Sequence, residues 1–545
     1  MRFRRARHAK PSRPPPSTGE APSPAIIAGG KPPRGSWAVL LILCALFIAL
    51  RAPHIYKHWG GLDEMFYAPP GYTVARTGVP KLPYYPGLDR DGFFLHAERA
   101  FFAIPPGYFY WQAPWHWLVG RGYTAARCAS ALSGIVAIWF LYLIGRNLHG
   151  SESLALWGAA LWSISRVFYF PATLGRPDTT CTMFCLASAW AMTVWHARRE
   201  TRWGVLAGIC GGLAVLVHPA GVVAVAQVGL WIMLAGRGVR RRVVDTLAAA
   251  GGCLAALSLW LPMIVAYPEE FRTQFINNVV KPTAPGLVAR LVAIGPVLRQ
   301  HFLDLLELSQ PIQLSLMGAG VLVATACDLW RPGGRRAGVL LFWSSYYLLN
   351  LALGSHRAFT YWCFPAAYAM LCVARTGQIV TTAIAARFPV AAPTARIVLG
   401  AVVVALMLPG MGIRTFVHHL AHRQEAKYDH VRFIDEVLRD LPADATHWVE
   451  PAYALDVWLA GRRTYLLPYY YPDFPSRFDY LVVGRQALDL DAHKRFGGER
   501  IGQWGDRDDP FSNYVEVYAA PRDYAPPTDR PVLGEPVTRA EIDGD

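Results

Sequence analysis

Charge is scarce in this chain. Only 17% of its 545 residues are Asp, Glu, Lys or Arg, against 53% that are hydrophobic. That balance excludes an ordinary soluble protein of this length, because the apolar residues fall in blocks long enough to cross the hydrocarbon of a bilayer. Cysteine is absent from the whole stretch after Cys372, which excludes a disulfide framework for the C-terminal part. The nine cysteines lie in or beside apolar blocks, and Cys181 and Cys185, four apart, have no histidine or third cysteine next to them. They read as packing residues, not metal ligands. No glycine-rich nucleotide fingerprint occurs in the C-terminal part. No internal repeat relates the two halves, which speaks against an inverted-repeat transporter. The apolar run at 37–52 starts late and lacks a small-residue cleavage site, so it reads as a first span and not as a signal peptide.

Positive charge is present in excess, at a formal +15. A nucleic-acid partner is not implied, because the arginines gather in short loops between apolar blocks, as topology and anionic headgroups require. Residues 1–35 form a basic, proline- and serine-rich tail with the composition of a disordered cytoplasmic segment. About eleven spans follow, at roughly 36–53, 128–145, 153–173, 179–196, 204–219, 221–236, 245–265, 311–327, 338–353, 360–374 and 394–413. Arg146, then Arg198, Arg199 and Arg202, then Arg237 and Arg240–Arg242, then Arg331, Arg335 and Arg336, then Arg375, Arg387 and Arg396 mark one side as cytoplasmic. An odd count puts the C-terminus outside. The expected fold is therefore a polytopic α-helical membrane protein. Its membrane domain covers 36–415, with long outer loops at 54–127 and 266–310, and a small external α/β domain covers 416–545. In that last part VRFIDEVLRDL has the pattern of an amphipathic helix, and THWVE, TYLLP, DYLVVG and YVEVYA read as strands. In the first outer loop, FFAIPPGYFYWQAPWHWLVG is too interrupted to span and predicts interfacial helices. The second outer loop alternates irregularly and is broken by Pro282 and Pro285.

Four clusters of chemically capable residues fall on the outer side. Asp63 and Glu64, in GGLDEMFYAPPG, are two acids in an aromatic setting just after the first span. Partial burial there would bring a carboxylate pKa toward that of a general base. LGRPDTT places Arg176 and Asp178 at the outer end of the third span, with Arg166 inside that span about two turns away. A structural ion pair and a phosphate or sugar contact both fit that arrangement. GSHRAFTYWCFPA carries His356 and Arg357, and an arginine fork suits a lipid-linked phosphate. His218, before Pro219, is the fourth. The aromatic residues Tyr108 and Tyr110, with Trp111, Trp115, His116 and Trp117, suit stacking on sugar faces or a lipid-facing belt. Convergence on one face implies an active site fed from the membrane and open to the exterior.

These motifs together resemble the GT-C glycosyltransferases, in the bacterial branch of the protein O-mannosyltransferases and the lipid A aminoarabinose transferase. The resemblance rests on Asp63–Glu64, on PPGYFYW with Pro105 and Pro106, on ARCASALSG followed by LYLIGRNLHG, on Arg176–Pro177–Asp178 and on HRAFTYWCFPA, across roughly 36–375. It implies a polyprenyl-phosphate sugar as donor and transfer with inversion. It also implies the outer face of a bacterial inner membrane as the place and Asp63 as the residue that takes the acceptor's proton. A lipid, a glycan or a protein would serve as acceptor. No cofactor is required, although the acids could hold a divalent cation. Many relatives carry a lysine just before the paired prolines, where this chain has Ile104. Lys81, His96 or Arg99 are then candidates to replace it. A lipid-linked sugar flippase and a lipid-linked oligosaccharide ligase are the alternatives; a flippase would need polar residues deep in its spans, and most spans here lack central charges.

Overall fold

The computed structural model describes residues 34–544, apart from 62, 88–92, 120–121, 237, 282–286, 293, 332, 355–359, 411, 468–473 and 529–531. The tail at 1–33, Arg237, Pro282, Pro285, His356 and Arg357 lie outside the described residues.

Helices dominate up to residue 421. They are α1 (Arg34–Lys57), α2 (Glu64–Thr77), α3 (Gly107–Leu118), α4 (Thr124–His149), α5 (Glu152–Ser163), α6 (Arg166–Thr173) and α7 (Pro177–Arg198). Then come α8 (Thr201–Val217), α9 (Val222–Ala235), α10 (Val239–Leu257), α11 (Leu261–Ala266) and α12 (Pro268–Glu270), the last continuing as a π-helical turn over Phe271–Val280. The set closes with α13 (Leu287–Val292), α14 (Ile294–Asp328), α15 (Gly334–Leu353), α16 (Cys363–Arg387), α17 (Ala392–Met407) and α18 (Ile413–Ala421). Every apolar block read as a span is helical. Among the described residues, five helical segments are long and apolar enough to cross a membrane: Gly35–Lys57, Thr124–His149, Val239–Ala266, Ile294–Asp328 and Cys363–Arg387.

Two details differ from the sequence reading. The third span breaks after Ser163: Ser165 is extended and starts a new eight-residue helix, so Arg166 opens α6 instead of sitting within a continuous span. The second outer segment is largely helical, because α14 runs on from Ile294 across a kink at Gln310, next to Pro311. The backbone at Gln310 (φ 61°, ψ 159°) is not helical, so two helices meet there, the second opening on Pro311, where the missing N–H costs no helix bond. In keeping with the expected non-spanning helix, α3 has twelve residues, about 18 Å of helix, too short for a hydrocarbon core of about 30 Å.

Polar side chains set the register of α4 against α7. Ser133 and Thr180 share a hydrogen bond of 2.8 Å, and Asn147 Nδ2 donates to Thr193 Oγ1 at 2.8 Å. Such bonds hold helices together where lipid removes the hydrophobic drive between them.

The C-terminal part is a small α/β layer. Its five-stranded sheet has the order β2 (Arg463–Leu466), β1 (Thr446–Val449), β4 (Tyr480–Val483), β6 (Tyr514–Ala519), β5 (Arg500–Gly505). β1 is parallel to β2 and β4, whereas β6 is antiparallel to β4 and β5. β3 (Phe474–Pro475) and β7 (Val532–Leu533) form a separate parallel pair. Around the sheet lie α19 (His430–Arg439), α20 (Pro451–Leu459), α21 (Arg485–Asp489), α22 (Ala492–Phe496) and α23 (Arg539–Asp543). The amphipathic helix and four strands match the sequence reading; β5, mostly exposed and carrying two glycines, has no alternating apolar signal to find.

This layer docks on the first outer segment. Leu466 N–H donates to Tyr84 O at 3.0 Å, Gly534 N–H to Pro86 O at 3.0 Å, and Gly60 N–H to Ala452 O at 3.0 Å. Lys57 pairs with Asp429, and Tyr72 Oη donates to Asp543 at 2.7 Å. The loop that carries Asp63 is thus held between the helical bundle and the sheet domain.

Candidate active site

Asp63 is the N-cap of α2 and Glu64 its first helical residue. Consecutive side chains on a helix diverge by about 100°, and the two carboxylates separate at once. Glu64 turns inward and is fully buried with Arg127 of α4. Arg127 Nε donates to Glu64 Oε1 at 2.7 Å and Nη2 to Oε2 at 2.6 Å. Gly175 N–H donates to Oε1 at 2.5 Å and Gly61 N–H to Oε2 at 2.6 Å. The remaining donors of Arg127 reach the carbonyls of His54 at 3.1 Å, His58 at 2.7 Å and Trp59 at 2.7 Å. All five N–H groups of the guanidinium are therefore used. Glycine is needed at 175: a Cβ there would sit 2.7 Å from Ala126 Cβ. A catalytic role for Glu64 does not fit this geometry, since each of its oxygens already accepts two hydrogen bonds inside the protein. Glu64 and Arg127 form a clamp that fixes the turn from α1 to α2.

Asp63 turns the other way. Its side chain is 43% exposed and forms an ion pair with Arg176 Nη1. Arg176, the N-cap of α7, also donates from Nε to Asp178 Oδ2 at 2.9 Å and from Nη2 to Thr360 Oγ1 at 3.2 Å. Thr360 Oγ1 donates to Asp178 Oδ1 at 2.8 Å, and the Asp178 side chain is fully buried. One guanidinium thus joins an open carboxylate to a closed one. His218 reaches the same neighbourhood through Tyr361. Its Nδ1 accepts from Ala220 N–H at 3.2 Å, which leaves Nε2 as donor to Tyr361 Oη at 3.0 Å.

Tyr108 supports this arrangement from below. It is fully buried, and its hydroxyl lies 2.8 Å from Ser130 Oγ, which donates to Arg176 O at 3.1 Å. A buried ring offers no face to a sugar, so the stacking role read for Tyr108 gives way to one in fixing Arg176. Tyr110 is half-exposed and its hydroxyl donates to Gly78 O at 2.9 Å, pinning the end of α2.

The other expected residues are placed elsewhere. Arg166 donates from Nε to Leu308 O at 2.8 Å and stacks 5.2 Å from the Phe170 ring centre. It ties α6 to the α14 kink. Arg99 pairs with Glu270 at 3.3 Å, joining the two outer segments, and His96 lies 3.2 Å from Glu98. Lys81 donates its backbone N–H to Thr73 Oγ1 at 2.8 Å. Ile104 is buried in the core. Among the described residues no group of three or more His, Cys, Asp or Glu side chains is gathered as a metal site.

Sequence reasoning missed Arg127, Thr360 and Tyr361 as parts of this centre. Arg127 did leave a signal, because an arginine at the outer end of a span runs against the inside bias of positive charge. Arginine at such a depth is a functional or structural candidate by default.

Residues 103–265 match the family model for dolichyl-phosphate-mannose-protein mannosyltransferase. Comparison with curated proteins gives no match. Among solved structures, the fold is similar to ArnT from Cupriavidus metallidurans bound to undecaprenyl phosphate, with a TM-score of 0.56 at 14% identity over 91% of this chain and 100% of that one. The apo form of the same protein gives 0.53 at 16% identity, over 90% and 99%. The Archaeoglobus fulgidus oligosaccharyltransferase in its apo form is a weaker likeness, at 0.48 and 12% identity over 91% of this chain and 75% of that one. The fold is thus that of the ArnT structures, and the family match falls within it over residues 103–265.

Proposed function

We propose that this protein moves a sugar from a polyprenyl-phosphate-linked donor to a hydroxyl of an acceptor at the outer face of a bacterial inner membrane, with inversion at the anomeric carbon. The observation that carries the reading is the half-open Asp63 carboxylate on Arg176, set beside a sealed Glu64–Arg127 clamp. In the reaction the acceptor O–H gives its proton to Asp63 as its oxygen bonds to the anomeric carbon. The bond from that carbon to the phosphate oxygen breaks, and the polyprenyl phosphate leaves with the electron pair. A phosphate monoester leaving as an anion needs positive charge more than an acid, so one carboxylate is enough and the two-acid geometry of hydrolases is not required. Arg176 serves both partners in turn: a phosphate that takes its Nη1 releases Asp63 as a free base. His218, through Tyr361, and Arg357 complete the donor side. The scheme needs no metal. The undecaprenyl phosphate bound to the similar ArnT structure supports the donor class.

The decisive assay incubates the purified full-length protein with a panel of undecaprenyl-phosphate sugars and envelope extracts. Acceptor-dependent release of undecaprenyl phosphate, unaffected by chelators, is expected. Sugar lipids that cross the bilayer unconsumed would favour the flippase alternative. In this reading the N-terminus is cytoplasmic and residues 416–545 are periplasmic. Reporter fusions after Arg387 and after Arg414 should then report opposite sides.

A further inference from the structure

A cavity of about 170 Å³ lies where the turn after α1 meets the sheet domain. That is the volume of roughly five or six waters, room for one monosaccharide unit and too little for a lipid headgroup with its chains. Trp59 and Gly60 form one wall. Gly60 stands three residues before Asp63, so at most about 11 Å of chain separates them. The wall is rigid. Gly60 N–H bonds to Ala452 O at 3.0 Å, Tyr123 Oη donates to Pro451 O at 2.8 Å, and the Trp59 carbonyl is one of those held by Arg127.

The lining is amphoteric. Arg485 lies with its guanidinium carbon 5.6 Å from the Trp59 ring centre, fixed by bonds from Nη2 to the carbonyls of Asp506 and Asp509. Its Nε is buried without an acceptor, a state that ordinarily disfavours a fold. Glu450, 3% exposed, brings a carboxylate to the same lining, with Oε2 accepting from the Gly484 and Ala487 N–H groups, while the Ser512 and Tyr453 hydroxyls there donate to the carbonyls of Asn513 and Tyr514. Gln486 is exposed at the rim. A phosphate would suit Arg485 alone but would meet the like charge of Glu450. A neutral ring bearing several hydroxyls, each both donor and acceptor, suits the Arg485 Nε and the Glu450 carboxylate together.

We propose that this cavity is a carbohydrate subsite that takes one neutral hexopyranose unit of the acceptor, built jointly by the loop that carries Asp63 and the sheet domain. This deepens the transferase reading and rests on it. The sheet domain then holds the sugar next to the one whose hydroxyl attacks.

The test is saturation-transfer NMR on the purified full-length protein with methyl hexopyranosides as probes. Wild type and Asp63→Asn should both bind at least one of them. Gln486→Trp, which plugs the rim from an exposed position, should weaken that binding about ten-fold or more, as should Arg485→Ala. In turnover assays Gln486→Trp should raise acceptor KM and leave donor KM where it was. If Arg485→Ala fails to fold, Gln486→Trp alone decides. No saturation transfer in wild type would mean a cavity that only water fills and would overturn the proposal. So would undiminished binding in Gln486→Trp. Binding that responds to Gln486→Trp in a protein unable to consume any lipid-linked sugar would keep the subsite and sink the transferase reading.

Discussion

Two carboxylate–arginine centres sit side by side in the chain and could hardly be more different. Glu64 and Arg127 show no exposed side-chain surface, and every donor and acceptor between them is filled within the protein. Asp63, one residue earlier, is 43% exposed, and its partner Arg176 is shared with Asp178 and Thr360. The closed pair can only hold a shape, because nothing can replace a partner without stranding a buried charge. The open pair can exchange, because water, an acceptor hydroxyl or a phosphate can stand in for either member. Identical functional groups thus divide into scaffold and chemistry by access alone.

The largest effect should come from breaking the closed pair. Arg127→Met leaves Glu64 buried and unpaired and frees three carbonyls, which should cost about 3–5 kcal/mol and appear as loss of monodisperse protein in size-exclusion chromatography. Adding Glu64→Met should recover part of that loss, though not all, because His54, His58 and Trp59 would still lack their donor. Next comes the open pair. Asp63→Asn keeps shape and removes basicity, so turnover should fall about 10²-fold or more with donor binding and melting temperature retained. Near-normal turnover in that variant would reverse the assignment of roles. Arg176→Lys keeps the charge and loses the fork. A donor KM about ten-fold higher is expected, read from initial rates at saturating acceptor, and an unchanged donor KM would remove Arg176 from the phosphate site.

The smallest effect sharpens the comparison through pH. His430, fully buried in the docked domain, has its pKa pushed down to about 3 by burial first and then by the Arg127 charge. It stays neutral when folded but takes up a proton below about 6.5 when unfolded. Stability is therefore full above about pH 6.5 and falls as pH drops toward about 3, where the unfolded chain binds more protons. Melting temperatures measured from about pH 7 to about pH 4 should decline, and His430→Gln should flatten the decline. An equal slope in that variant would exclude His430 as its source.

Much of the architecture was legible because membrane insertion writes itself into sequence. A helix that faces lipid must be apolar along its whole length, and arginine marks the loops. The break after Ser163 was not legible, since SISRVFYF keeps the hydropathy of a span while the backbone at Ser165 is extended. For the same reason Arg166 looked like part of the outer cluster, whereas its guanidinium is spent on Leu308 O. In the sheet domain, strands with buried faces were readable from their period, and exposed β5 was not.

What the sequence determined by itself was a helical membrane protein with the adjacent acids Asp63 and Glu64 just after its first apolar helix and Arg176–Pro177–Asp178 further along. Tertiary structure alone decided which acid is open. Asp63 and Glu64 have the same neighbours in sequence. The start of α2 between them turns one carboxylate toward Arg127, 63 residues further along the chain but adjacent in the fold, and the other toward Arg176 and solvent. Ionic partners so far apart along the chain are chosen by helix packing, which no local pattern of residue types records.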